Sequence, residues 1–151
     1  SSSPAVHARR ERAAESLTAL LGVSSCRGSW SGVALAPSAS IGHDQPIASL
    51  TRAAIRPRHA RTFWRHSPAS ESSLARAPGC RLAVGLGEAP LLRQATFSLW
   101  DNAQSMDAYA RSGAHLAAIQ GAHQQGWFSE SMFVRFAPIE ISGEWHGKRY
   151  G

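Results

Sequence analysis

"ESLTALLGVSSCRGSWSG" occupies residues 15–32, and "ESMFVRFAPIEISGEWHG" occupies residues 130–147. Laid over one another without a gap, the stretches share Glu15/Glu130, Ser16/Ser131, Gly28/Gly143, Trp30/Trp145 and Gly32/Gly147, and Leu17 faces Met132. Each reads as a short apolar strand that leaves through a Gly-x-Trp-x-Gly turn. A pattern kept without insertions points to an internal duplication, which constrains the fold more than any single element does.

Between the copies the chain alternates two periodicities. "IASLTRAAI" (47–55) reads as a strand, and Pro57 suits the first position of a helix expected to reach residue 77 with a break near Pro68. "CRLAVGLG" is a strand, Glu88-Ala89-Pro90 a turn, and "LLRQATFSLW" (91–100) a second strand. Asp101 or Asn102 can cap a helix over 103–125 that weakens at Ser112-Gly113, and residues 130–139 form the last strand. Ahead of these lie a charged helix end (6–15), a strand (16–23) and a turn-rich loop (24–46).

The order from residue 46 is strand, helix, strand, strand, helix, strand. It predicts an α+β fold, a ferredoxin-like βαββαβ unit with an antiparallel sheet and both helices on one face. The first copy of the repeat then reads as the last helix and strand of a preceding unit of the same kind. Residues 1–32 are assigned to the end of that first unit, 33–45 to a linker and 46–151 to a complete unit. Two such units facing through their sheets make a barrel of the dimeric α/β type, so a homodimer or a partner unit is expected to complete it.

Composition narrows the classes. With 43% apolar and 17% charged residues over 151 positions, the chain is globular and of one-domain size. Its net charge of +6 would suit nucleic acid or an anionic membrane. Yet it has neither zinc-finger spacing nor a helix-turn-helix signature, which speaks against nucleic acid. Cys26 and Cys80 lie far apart with no CxxC, as for two thiols in a reducing cytosol, and a cytoplasmic location is expected. No apolar run approaches the ~20 residues of a spanning helix.

Alternation along the strands separates two faces. Leu82, Val84, Phe97, Leu99, Val134 and Phe136 form an apolar set expected under the helices. The opposite, open face is expected to hold Arg52, Ala54, Ala83, Gly85, Thr96, Ser98, Trp100, Phe133 and Arg135. Because first and last strands are neighbours in this fold, Arg52 and Arg135 should share that face. Their guanidiniums pair with Glu88 or Glu130, stay solvated at the rim, or receive a carboxylate-bearing ligand. Small residues there leave room, and Phe63, Trp64, Trp100, Tyr109, Trp127 and Phe128 could wall a cavity.

The sequence contains no nucleophile elbow, phosphate loop, HExxH or paired-carboxylate motif. Seven histidines remain. His115 and His123 stand two helical turns, about 11 Å, apart, too far to share one metal ion. A lone helical His115 beside Gly113, Ala114 and Ala118 fits either a single axial ligand of a flat cofactor or a half-buried histidine bound to a backbone carbonyl. His59 and His66 are expected to be exposed.

"LTRAAIRPRHARTFWRHSP", "VGLGEAPLLRQATFSLWDN", "MDAYARSGAHLAAIQGAHQQGWFSESMFVRF" and "GEWHG" together resemble the spheroidene monooxygenase family of acyclic carotenoid 2-ketolases. The resemblance runs from about Glu15 to Gly147. It implies a haem-dependent monooxygenase that takes electrons from reduced ferredoxin and oxidises C-2 of linear carotenoids to a ketone. Carried onto this chain, it makes His115 the haem iron ligand, and Arg52 or Arg135, which fall in matched blocks, would pair with the propionates. Trp64, Thr96, Ser98, Trp100, Tyr109, Trp127 and Phe133 are the expected substrate pocket. Family members carry a first ferredoxin-like unit ahead of Glu15, most of which is expected to be missing here. A membrane-soluble substrate also makes the arginines at 56, 58, 61 and 65 candidates for peripheral membrane contact. The alternatives are a non-catalytic or truncated barrel protein that binds an apolar ligand, and a cofactor-free barrel oxygenase.

Overall fold

The two copies of the repeat form the two longest strands. In the computed structural model, which describes residues 3–88, 92–112, 121, 122 and 124–151, these are β1 (Leu17–Gly28) and β5 (Phe128–Trp145). Of residues 7, 66–71 and 88 it describes the backbone alone. The other elements are α1 (Pro4–Arg12), β2 (Ile47–Ile55), a 3-10 turn (Pro57–His59), α2 (Ala60–Ala75), β3 (Cys80–Glu88), β4 (Arg93–Trp100), α3 (Ala103–Ala110) and β6 (Lys148–Tyr150). The strands follow the order β1-β5-β2-β4-β3, with β6 paired to β5. Within it, β5-β2-β4-β3 is the antiparallel ferredoxin-like arrangement that the element order predicts, and first and last strands are indeed neighbours.

The chain divides into two compact units, Gly22–Ala137 and the pair of segments Ser1–Leu21 and Pro138–Gly151. Each contains one use of the Gly-x-Trp-x-Gly signature. In the larger unit Trp30 and Val33 exchange both backbone hydrogen bonds (2.9 and 3.0 Å) around Ser31 and Gly32, whose φ angles are 53° and 76°. In the smaller unit Trp145 pairs with Lys148 around His146 and Gly147, with φ of 52° and 70°. Positive φ at both central residues defines a type I′ hairpin turn, whose twist matches that of the flanking strands. Trp-x-Gly therefore spells the same turn twice.

The first glycine has a different reason. Gly28 (φ 77°) lies so close to strand β5 that a Cβ would overlap the Ser131 carbonyl oxygen, and a Cβ on Gly143 (φ 117°) would overlap that of Ser16. Ser16 and Ser131 are themselves equivalent positions of the repeat. Each copy's glycine thus rests on the other copy's serine.

In the larger unit both helices cover one side of the sheet. Leu74 of α2 and Met106 of α3 pack with Ile47 and Trp100, joined by Ile41, Ala77, Cys80, Ala83, Ala103 and Tyr109. The 3-10 turn starts at Pro57, which fixes φ without needing a donor, and leads into α2. Asn102, not Asp101, caps α3 by accepting the Ser105 N–H at 2.9 Å, while Asp101 pairs with Arg81.

Several expectations change. α2 runs unbroken past Pro68, and β1 continues five residues past Val23 into the expected loop. The larger correction concerns the faces. Trp100, Ser98, Thr96, Ala83, Phe133 and Arg135 lie on the helix-covered side, and Leu82, Val84, Phe97, Leu99, Val134 and Phe136 lie on the other. Alternation defines two sets but does not say which one carries helices. Here Ile47 and Trp100, nearly solvent-free at 1% exposure each, decide it.

Candidate functional site

Residues directly opposite in an antiparallel sheet share a face, so register locates each expected site residue. One row on the helix-covered side reads Arg135, Ser49, Ser98, Ala83 across β5, β2, β4 and β3. The next reads Phe133, Thr51, Thr96, Gly85. In the first row Ser49 and Ser98 are buried, and their hydroxyls lie 2.9 Å apart. Trp100 donates its indole N–H to Ser98 Oγ at 2.9 Å. A buried polar chain of this kind satisfies its own members, which makes Ser98 and Trp100 part of the core.

The second row is open. Thr51 is the only exposed residue of β2, the middle strand, while Ala53 and Ser49 on either side along the same face are buried. Phe133 and Thr96 are half-buried and Gly85 is exposed. The floor of this opening is small and weakly polar, with one aromatic ring at its edge. Arg135 stands one row away, its guanidinium carbon 5.8 Å from the Phe133 ring centre. It donates to Asp107 of α3 at 2.6 Å, a carboxylate outside the expected pair; of that pair, the Glu88 side chain lies outside the described residues.

Arg52 is elsewhere. It pairs in register with Met132 and Ala95 and so faces the helix-free side, contrary to the expectation that it joins Arg135. There its guanidinium sits 4.0 Å over the Trp30 ring, with Arg93 at 5.8 Å, which ties the first Gly-x-Trp-x-Gly turn to the sheet.

The expected aromatic wall separates into two groups. Trp100 and Tyr109 pack at 5.6 Å beneath the helices. Phe63 meets Trp64 edge-on at 5.4 Å and Phe128 at 6.1 Å, while His59 stacks on Trp127 at 6.3 Å and is half-buried rather than exposed. Tyr109 also lines a groove of about 660 Å³ between α2 and α3, with Ser73, Arg76, Gln104, Ser105 and Ser112. Burial raises the Tyr109 phenol above its usual pKa, and a hydrogen bond with Ser73 opposes the shift. Burial likewise raises the Cys80 thiol, so it is the less reactive form that packs there.

His115 and His123 lie outside the described residues, as do 113–120 generally, and so does the side chain of His66. Among the described residues no three His, Cys, Asp or Glu side chains converge on a metal position. Thr51, Ser49 and Asp107 were missing from the sequence-based set. Thr51 could have been found from register alone, since it lies between Phe133 and Thr96. The Asp107–Arg135 contact depends on where α3 crosses the sheet.

No protein-family model matches the chain. It is 58% identical over 127 residues to the spheroidene monooxygenase of Rubrivivax gelatinosus, covering 84% of this chain and 49% of that protein. It is 38% identical to the Rhodobacter capsulatus spheroidene monooxygenase over 92% of this chain and 59% of the relative. For the Cereibacter sphaeroides protein of that name the figures are 36%, 97% and 46%. Among solved structures, a monooxygenase of Fusobacterium nucleatum superposes with a TM-score of 0.62 at 11% identity, covering 87% of this chain and 56% of that one. SnoaB of Streptomyces nogalater, a cofactor-independent oxygenase, superposes at 0.53 and 13% identity, covering 64% and 95%. At such identities the structural matches establish the fold alone, an α+β ferredoxin-like one. The sequence matches establish kinship: the chain is a relative of the spheroidene monooxygenases and spans about half the length of those it matches.

Proposed function

We propose that this chain is part of a monooxygenase that oxidises C-2 of acyclic, spheroidene-like carotenoids to a ketone. The observation that carries the reading is the 58% identity to the Rubrivivax gelatinosus spheroidene monooxygenase. The open row supports it. Phe133, Thr51, Thr96 and Gly85 offer a ring, two methyl-bearing side chains and one bare backbone, a floor on which a thin polyene end lies without stranding a charge. Of the expected pocket, Ser98 and Trp100 support this face from the core with Tyr109 packed on Trp100, while Trp64 and Trp127 stand in a separate aromatic group. Two hydroxylations at one carbon give a gem-diol that loses water to a ketone. No dedicated acid or base is required for that loss, in keeping with the scarcity of carboxylates around the row.

The reading brings haem and reduced ferredoxin with it, together with a homodimer or partner unit to complete a barrel. Haem, when bound, would supply the activation of dioxygen. Arg52 and Arg135 lie on opposite faces of the sheet, so one of them at most would meet the propionates of one haem; Arg52 stands over Trp30 and Arg135 is paired with Asp107. His115, the proposed iron ligand, lies outside the described residues. A Soret band lost in His115→Ala would support that assignment.

The floor is tested by titrating an acyclic carotenoid into the chain and following its absorption band. Thr96→Trp, which fills the row, should weaken binding at least about tenfold, as loss of a shaped apolar contact does. Undiminished binding by that variant would remove the floor from the site. Binding without any oxidation by the whole protein would favour a non-catalytic barrel, and oxidation without haem or reductant a cofactor-free oxygenase.

A further inference from the structure

The positive charge of this chain is not spread evenly. Between Ile47 and Pro78 there are six arginines (52, 56, 58, 61, 65 and 76) and one carboxylate, Glu71. That segment carries five of the chain's six net charges. Arg58, Arg61 and Arg65 follow one another at steps of three and four, so the 3-10 turn and the first turns of α2 present them along one side. Arg56, Arg58, Arg61, Arg65 and Arg76 are all exposed. Among the described residues none of the five is in an ion pair with a carboxylate; Arg56 donates to the Phe128 carbonyl, Arg58 to His59 and Arg76 to Ser72.

Arginines alone would describe a solvated helix face. The second observation is what stands among them. Phe63 meets Trp64 and Phe128 edge-on, and Trp127 stacks on His59, so four half-buried rings gather at the start of α2 and of β5. Arg56 donates to the Phe128 carbonyl, Arg58 to the His59 ring that stacks on Trp127, and Phe63 and Trp64 lie between Arg61 and Arg65 in the chain. Aromatics set among guanidiniums match the layered chemistry of a bilayer surface, with phosphates outside and acyl carbon beneath. We infer that this face, Arg56, Arg58, Arg61 and Arg65 around Trp64 and Trp127, docks on an anionic lipid bilayer. The inference rests on the carotenoid reading in one respect: a substrate dissolved in the bilayer makes lipid, rather than an acidic protein or a nucleic acid, the partner that the charge complements.

Flotation with vesicles tests it. The chain should float with phosphatidylcholine vesicles containing phosphatidylglycerol and stay behind with phosphatidylcholine alone, and added salt should release it. Arg61→Gln and Arg65→Gln should each lower the partition about fivefold, the value of one cation near an anionic surface. The pair Lys148→Gln and Arg149→Gln, exposed on β6, removes equal charge elsewhere and should leave partition unchanged; circular dichroism confirms that every variant is folded. Equal loss from that control pair, equal binding to neutral vesicles, or retention by a single-stranded oligonucleotide or an acidic protein without vesicle binding would each overturn the inference. Vesicle binding is read without turnover, so the two proposals fail separately. Binding with no carotenoid oxidised removes the enzyme reading, and oxidation with no vesicle binding removes the lipid face.

Discussion

At the scale of single residues, Gly28 and Gly143 carry the most weight, because each combines a left-handed backbone with a carbonyl oxygen where a Cβ would be. Gly143→Ala should cost at least about 2 kcal/mol, the sum of left-handed strain and displacement of the Ser16 strand, read from urea unfolding. Beside it, the Glu15 carboxylate accepts the N–H groups of His146 (2.7 Å) and Gly147 (2.8 Å). The Gly147 bond first, then that of His146, holds the Glu15 pKa below its usual 4.5. A depressed carboxylate pKa stabilises the fold above the unfolded value, and that contribution disappears as pH falls through the folded one. Exchange protection of the His146 and Gly147 amides should therefore be full above pH 4.5 and lost below it, and Glu15→Gln should flatten the profile. A flat profile in the parent chain would remove the clamp. The sequence displayed these residues as a repeat. What it did not display is that Glu15 and Ser16 of one copy serve the turn of the other, since alignment relates equivalent positions and says nothing about which ones touch.

Among the elements, the sheet's central strands are tied by side chains as well as by their ladder. Ser98 links Ser49 on β2 to Trp100 on its own strand. Ser98→Ala would leave a buried indole N–H and a buried hydroxyl without that partner, a loss of about 2 kcal/mol in thermal or urea unfolding. A loss under half that size would mean that the two groups find other acceptors. The Arg135–Asp107 pair joins β5 to α3, yet both side chains remain about a third exposed (31% and 33%). Solvent screens such a pair, so a double-mutant cycle on Arg135 and Asp107 should return a coupling of only about 1 kcal/mol. Element type and order were legible, because hydrophobic period separates α2 from β2 and β4. The side of the sheet covered by helices was not. Both sets of strand residues include apolar members, and only the burial of Ile47 and Trp100 against Leu74 and Met106 tells them apart. Arg52 parts from Arg135 for a separate reason, register: it pairs with Met132 and Ala95, one residue out of step with the set that holds Thr96, Phe133 and Arg135.

Over the whole molecule, two asymmetries matter. One is charge, gathered on the segment from Ile47 to Pro78. The other is extent, since the chain covers about half of each matched spheroidene monooxygenase. The family was legible in ordered blocks such as "LTRAAIRPRHARTFWRHSP" and "GEWHG", whereas the role proposed for Thr51 was not, because the block contains it without saying which face of the sheet it joins. No helix among the described residues is long and apolar enough to cross a membrane. The central claim is oxidation of an acyclic carotenoid. The most direct measurement is mass spectrometry of the pigment from cells that accumulate a spheroidene-like carotenoid, express this chain and breathe isotope-labelled dioxygen. The account predicts a pigment that has lost two hydrogens at C-2 and gained one labelled oxygen there as a ketone. Unchanged pigment in cells that contain the folded chain together with the unit that completes its barrel would contradict it.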